Sequence, residues 1–202
     1  MLPNNYTCSS CHEKFEFEFR QARYYLGAAP LGKQVAFGDL LQVNVRPVWC
    51  KDCECVCVVE DIASLRVFED AYGAARNGRP LEYPVYSDYM EAAEVVKSVG
   101  DHLRWRMGRR HPARALCCGG SRYQLMDVAQ PILKHAQCEF GFIESGYHIG
   151  PYCGPGPGVY SPANIRVYDG EGVLIGQLTW YKREEDMWDT EPLKYPPPVA
   201  DD

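Results

Sequence analysis

The chain has 202 residues, 46% hydrophobic and 24% charged, which is enough to bury a core without needing staples merely to fold. Lysine and arginine number 21 against 27 aspartates and glutamates, and the formal charge of −6 argues against a protein devoted to coating nucleic acid. Ten cysteines over this length are too sparse for a small secreted disulfide scaffold.

Taken in chain order, Phe15, Phe17 and Phe19 alternate with Glu16, Glu18 and Arg20, a period of two that predicts a strand. Further strands are expected at Gln34 to Phe37, at Leu41 to Val45 and at Cys53 to Val59. The last would set Cys53, Cys55 and Cys57 on one face, with Val56 and Val58 on the other. The period then changes. Asp61 is placed to cap a helix with Ile62, Leu65, Phe68, Tyr72 and Ala75 on its apolar stripe, stopped by Asn77 and Gly78. A Pro80-to-Pro84 linker follows. Ser87 or Asp88 would cap a longer helix with Tyr89, Ala93, Val96, Gly100, Leu103 and Met107 on one stripe, ending before Pro112.

Pro131 suits the first turn of a short helix, Ile132 to Ala136. Ile165 to Tyr168 and Val173 to Tyr181 flank Asp169-Gly170-Glu171-Gly172, a hairpin signal. The expected architecture is α+β, with a β module over residues 1–60, an α+β domain over 61–183 and an acidic, proline-rich tail or surface strap over 184–202. The first residues show neither a basic nor an apolar leader segment, and the densest apolar stretch, Cys55 to Val59, is too short to span a bilayer. A cytoplasmic protein without membrane contact is therefore expected. In a reducing compartment, closely spaced cysteines hold metal more often than they form disulfides.

Cys8-Ser9-Ser10-Cys11 and Cys50-Lys51-Asp52-Cys53 are two Cys-x2-Cys pairs. Each bends the chain so that two thiolates converge on one cation, and four thiolates in tetrahedral array suit zinc. This pattern resembles the zinc-ribbon class over residues 6–60. The resemblance implies two knuckles around one closed structural zinc site formed by Cys8, Cys11, Cys50 and Cys53. Cys8 to His12 also reads Cys-x-x-Cys-His, a haem-attachment motif, but that reading leaves the second pair unexplained. An iron–sulfur cluster would use the same four thiolates.

Cys117, Cys118, His135 and Cys138 form a second candidate metal set, which as an open zinc site would suit an enzyme. Cys55 and Cys57 read as packed thiols or as a redox pair. Cys153, beside Gly154-Pro155-Gly156-Pro157-Gly158, reads as part of a surface turn. Gly-x-Ser-x-Gly, His-Glu-x-x-His and Walker motifs are missing, and a non-enzymatic protein is expected.

Charge is segregated. Asp101 to Arg122 holds six arginines and one acid, whereas Glu184 to Asp202 holds seven acids and one lysine. Arg104, Trp105, Arg106, Arg109, Arg110 and Arg114 are candidate partner-binding residues, with internal pairing as the plainer alternative. The functional expectation is a zinc-binding interaction protein with a protein partner, such as an adaptor or an inhibitor of the immunity-protein type. Nucleic-acid binding through the arginine helix is the main alternative.

Overall fold

The computed structural model describes residues 5–16, 22–82, 90–126, 133–145 and 165–195. The chain divides into a β unit, Met1–Asp61 with Pro112–Asp202, and a helical unit, Ile62–His111. The spacing of elements along the chain suggests boundaries near residues 60 and 183. Strand pairing instead interleaves the first sixty residues with the C-terminal half. Both classes of element are present, and the fold is α+β.

Among the described residues, three sheets build the β unit. The first has the order β2 (Lys14–Glu16), β1 (Asn5–Cys8), β10 (Phe142–Ser145) and β9 (Leu133–Lys134), antiparallel throughout. Leu133 and Lys134 are thus a strand, where Pro131 predicted a helix. Pairing with Ile143 and Phe142 overrides the local signal. Phe15 lies on β2 and is buried, while Phe17 and Phe19 lie outside the described residues.

The second sheet is six-stranded. Its order is β4 (Gln34–Ala36), β13 (Met187–Glu191), β12 (Leu174–Lys182), β11 (Ile165–Tyr168), β3 (Ala22–Tyr25) and β5 (Leu40–Val43). β3 and β11 run parallel, and the other pairs are antiparallel. The expected hairpin is present: the Asp169 carboxylate accepts from the amides of Glu171 and Val173, and Gly172 turns the chain at φ 78°. Met187–Glu191 is a strand within what the acid count marks as a tail. Trp188 supplies the reason, since it is buried with Val35, Leu40, Val167 and Leu178. The remainder of that segment from residue 196, and Cys153 with its glycine–proline run, lie outside the described residues.

The third sheet has the order β7 (Cys55–Glu60), β6 (Val45–Cys50) and β8 (Tyr123–Leu125). Cys53 sits in the β6–β7 turn rather than on the strand face. Glu60 is buried at the end of β7. It accepts from the Tyr24 hydroxyl and, at 2.7 Å, from the Arg114 amide, so its desolvation is offset.

In the helical unit, α1 (Leu65–Arg76) begins with Ser64 at the cap position, not Asp61, whose amide is held by the Asn44 carbonyl at 2.8 Å in the β unit. Asn77 and Gly78 (φ 62°) end it as the sequence predicts. α2 (Ala92–Gly108) is opened by a capping box between Glu91 and Glu94, and Ser87, Asp88 and Tyr89 lie outside the described residues. Its buried face is Val99, Asp101, His102 and Trp105, not the stripe through Ala93 and Met107. Phe68 stacks on His102 with centroids 6.4 Å apart, and these large rings turn the helix away from the apolar count. Among the described residues, no helix is long and apolar enough to cross a membrane.

Candidate metal centres

Cys-x2-Cys spacing groups Cys8, Cys11, Cys50 and Cys53 in one site. The structure groups them otherwise. Cys8, Cys11, His135 and Cys138 form one set, and Cys50, Cys53, Cys117 and Cys118 form another. Within each set the ligand atoms all lie within 4.8 Å of one another, and each set could hold a metal ion. The second candidate quartet is therefore split as well, one half completing each N-terminal pair. The reason lies in hydrogen bonding between strands. β1 pairs with β10, which sets residues 133–145 rather than the second Cys-x2-Cys turn beside the first.

The first centre is formed at the tips of two adjacent hairpins. The β1–β2 turn carries Cys8 and Cys11, closed by the Cys8 amide on the Glu13 carbonyl at 2.9 Å. The β9–β10 turn carries His135 and Cys138, closed by the His135 amide on the Gly141 carbonyl at 2.9 Å. Crosslinks hold the tips together: the Ser9 amide donates to the Phe142 carbonyl, and the Phe142 amide donates to the Ser9 hydroxyl. Gly141 is required by space. A Cβ there would fall on the Cys8 Sγ and within 2.8 Å of the Cys138 Sγ. A hydrogen bond from Ser10 lowers the Cys138 thiol pKa, which favours the ligand form.

His135 is 1% exposed. Its Nδ1 lies 3.5 Å from the Cys11 Sγ, while its Nε2 lies 3.5 Å from a Glu13 carboxylate oxygen. Nε2 makes no hydrogen bond among the described residues. The ring thus presents Nδ1 to the thiols and Nε2 to a carboxylate, the arrangement that fixes the tautomer of a metal-bound histidine. Glu13 is a neighbour of the candidate ligand His135 that spacing rules miss. Its one signal is an acid two residues past the Cys-x2-Cys pair.

The second centre uses the β6–β7 turn for Cys50 and Cys53. A turn from Ala115 to Gly120 supplies Cys117 and Cys118. Glu54 (φ 49°) follows Cys53 just as His12 (φ 59°) follows Cys11, so both Cys-x2-Cys turns end in a left-handed residue. Gly119 (φ 76°) plays that part after Cys118 and lets two adjacent cysteines face the same centre. The turn is anchored by the Ala115–Val59 bridge and by the Leu116 amide on the Val58 carbonyl at 2.9 Å. Cys50 and Cys117 each lie 3.7 Å from Cys118. Hydrogen bonds from Cys117 and then Cys57 hold the buried Cys50 well below the usual thiol range, against the opposing effect of burial. Cys117, which donates to Cys50, Cys55 and Cys57, is held above that range. Burial, with the Cys118 contact next, pushes Cys53 up to about 12.

Trp49 joins the two centres. Alternation on β6 sends Val48 and Cys50 to one face of the sheet and Trp49 to the other. There the Trp49 ring packs edge-on against Phe15 at 5.4 Å and His135 at 5.7 Å. Gln137 also donates to Glu54, between the second hairpin tip and the Cys50–Cys53 turn.

The arginine run is divided between the units. Arg104 pairs with Asp101, Arg106 donates to the Ala63 carbonyl at 3.1 Å, and Arg109 is buried over Trp105, donating to the His111 carbonyl. In the β unit, the Arg114 amide is bound by Glu60, and Arg122 pairs with Asp52 at 2.5 Å. Arg110 is exposed. Comparisons with known protein families, with curated proteins and with solved structures return no match.

Proposed function

We propose that this chain is a non-enzymatic, zinc-stapled β scaffold that engages a protein partner, both metals being structural. The observation that carries this reading is the completeness of the two donor sets. Each offers four protein ligands to one ion, and four leave no position open for substrate. A tetrahedral zinc with Zn–S bonds of about 2.3 Å holds its sulfurs roughly 3.8 Å apart. The 3.7 Å separations around Cys118 fit that edge. Soft thiolates, with one imidazole at the first centre, suit zinc over calcium or magnesium. The facing hairpin tips of the first centre support a zinc-ribbon likeness built from residues 5–16 and 133–145 instead of 6–60.

A protein partner is favoured over nucleic acid by two features. Several members of the basic run are paired within the chain, with Arg109 buried. Phe140 (76% exposed) and Phe142 (45% exposed) flank Gly141 on the tip that carries Cys138. Exposed aromatics on a rigid turn are the kind of side chain that anchors protein interfaces. An adaptor or an inhibitor of the immunity-protein type fits this surface.

The test is metal content together with thermal melting of the purified chain and of Cys50→Ser. Structural zinc contributes about 10–16 kcal/mol in small modules, comparable to the whole stability of a domain. The variant is expected to lose zinc and the cooperative melt of the β unit. Full zinc content with an unchanged melting temperature refutes the reading. Fluorescence anisotropy with random RNA and DNA at two salt concentrations addresses the partner. Binding that falls steeply with salt favours nucleic acid instead.

A further inference from the structure

Four ligands do not exhaust the thiols at the second centre. Across the β6–β7 hairpin, Cys50 pairs with Cys55 and Val48 with Cys57. Residues two apart on a strand share a face, so Cys50, Cys55 and Cys57 project to the same side of the sheet. Cys57 is 3% exposed and Cys55 half-buried, and both pack with Cys50, Cys117 and Cys118.

Two of the six thiols occupy the middle. Cys117 contacts Cys50, Cys55 and Cys57, the last at 3.4 Å, and lies 3.7 Å from Cys118. Cys50 contacts Cys57 and Cys117 and lies 3.7 Å from Cys118. Cys53 contacts Cys118 and Cys117, and it also meets Cys55, which stands with Cys57 on the strand. Cys50 and Cys117 thus belong to the set with Cys53 and Cys118, whose ligand atoms lie within 4.8 Å of one another, and also reach toward the Cys55–Cys57 pair.

We propose that this cluster is a binuclear centre in which six thiolates hold two divalent zinc-type ions. Cys50 and Cys117 bridge them, Cys53 and Cys118 complete one ion, and Cys55 and Cys57 complete the other. The inference rests on the reading that the second centre binds zinc, and extends it. Each ion then has four sulfurs, as its tetrahedral preference requires. The six thiols release their protons to solvent as the two ions bind. The net charge of six thiolates and two dications is −2, the same as one dication with four thiolates, so the second ion adds no charge to be desolvated. Arg166 places a guanidinium beside the cluster, donating to the carbonyls of Leu116 at 2.7 Å and Cys117 at 3.3 Å.

Native mass spectrometry of the full chain purified with zinc tests the count. Three ions per chain are expected, one at the first centre and two at the second. The double variant Cys55→Ser, Cys57→Ser is expected to carry two. Two ions in the unsubstituted chain, or three in the double variant, overturn the binuclear centre and leave the two-site reading standing. A chain that binds none overturns both. Cadmium-113 NMR of the unsubstituted chain is independent of any folding defect in the variant. Two mutually coupled resonances are expected, since the bridging sulfurs connect the ions, and three uncoupled resonances overturn the proposal.

Discussion

The two centres begin from the same local device and are finished differently. Each opens with a Cys-x2-Cys turn closed by a left-handed residue, His12 in one and Glu54 in the other. The first is completed by an imidazole backed by a carboxylate, the second by two adjacent thiols with two more behind them. On the proposed zinc reading, affinity at the first would come from orientation, because one buried ring must point Nδ1 inward, and at the second from an excess of sulfur, with contacts shared among several thiols. Spacing specifies half of a metal site, and the neighbouring strand decides the other half.

The largest effect that breaks this contrast is expected at Trp49, the side chain adjacent to a ligand of one centre and packed on a ligand of the other. Trp49→Ala should cost about 3–5 kcal/mol, the usual loss for a buried aromatic. Thermal melting should show it, with weaker metal retention at both centres. A loss confined to one centre would mean that they are independent. A smaller effect sharpens the contrast: Glu13→Gln should weaken metal binding at the first centre by roughly 10–100-fold and leave the second unchanged, as read by competition with a chromogenic chelator.

The smallest effect belongs to the helical unit, where no candidate cluster is found among the described residues. Burial pushes the Asp101 carboxyl up, but hydrogen bonds from Lys97 and Arg104 outweigh it and hold the pKa below the usual carboxylate range. A carboxylate depressed in the folded state contributes stability that is present above its unfolded value of about 3.9 and lost as pH falls through the lowered one. These same-helix pairs reach the surface, so the contribution should be under about 1 kcal/mol. Acid titration of Asp101→Asn against the unsubstituted chain, followed by helical circular dichroism, should show the difference at neutral pH and its disappearance in strong acid.

Elements whose cause is local were legible in the residues. The Asp169–Gly172 hairpin, the stop at Asn77 and Gly78, and the end of α2 before Pro112 each follow from turn chemistry or helix geometry within a few positions. All eight ligand candidates were legible too, because thiol and imidazole at close spacing are rare outside metal sites. Their grouping was not, since Cys11 meets His135 across 124 positions and only the β1–β10 register brings them together. Cys117 and Cys118 were legible together, but with His135 and Cys138; their place beside Cys50 and Cys53 depends on the distant Ala115–Val59 bridge. The buried face of α2 was not legible, because His102 and Trp105, with their polar atoms, outweigh smaller apolar residues once their rings are packed.

The long reach of these pairings has a consequence for the nascent chain. Cys8 and Cys11 leave the ribosome long before His135, and at 5–20 residues per second the interval is roughly 6–25 s. Cys50 waits about half as long for Cys118, 68 positions later. Through that interval the emerging polypeptide exposes orphan dithiols open to oxidants and stray metal, so the speed of translation sets how long they stay vulnerable.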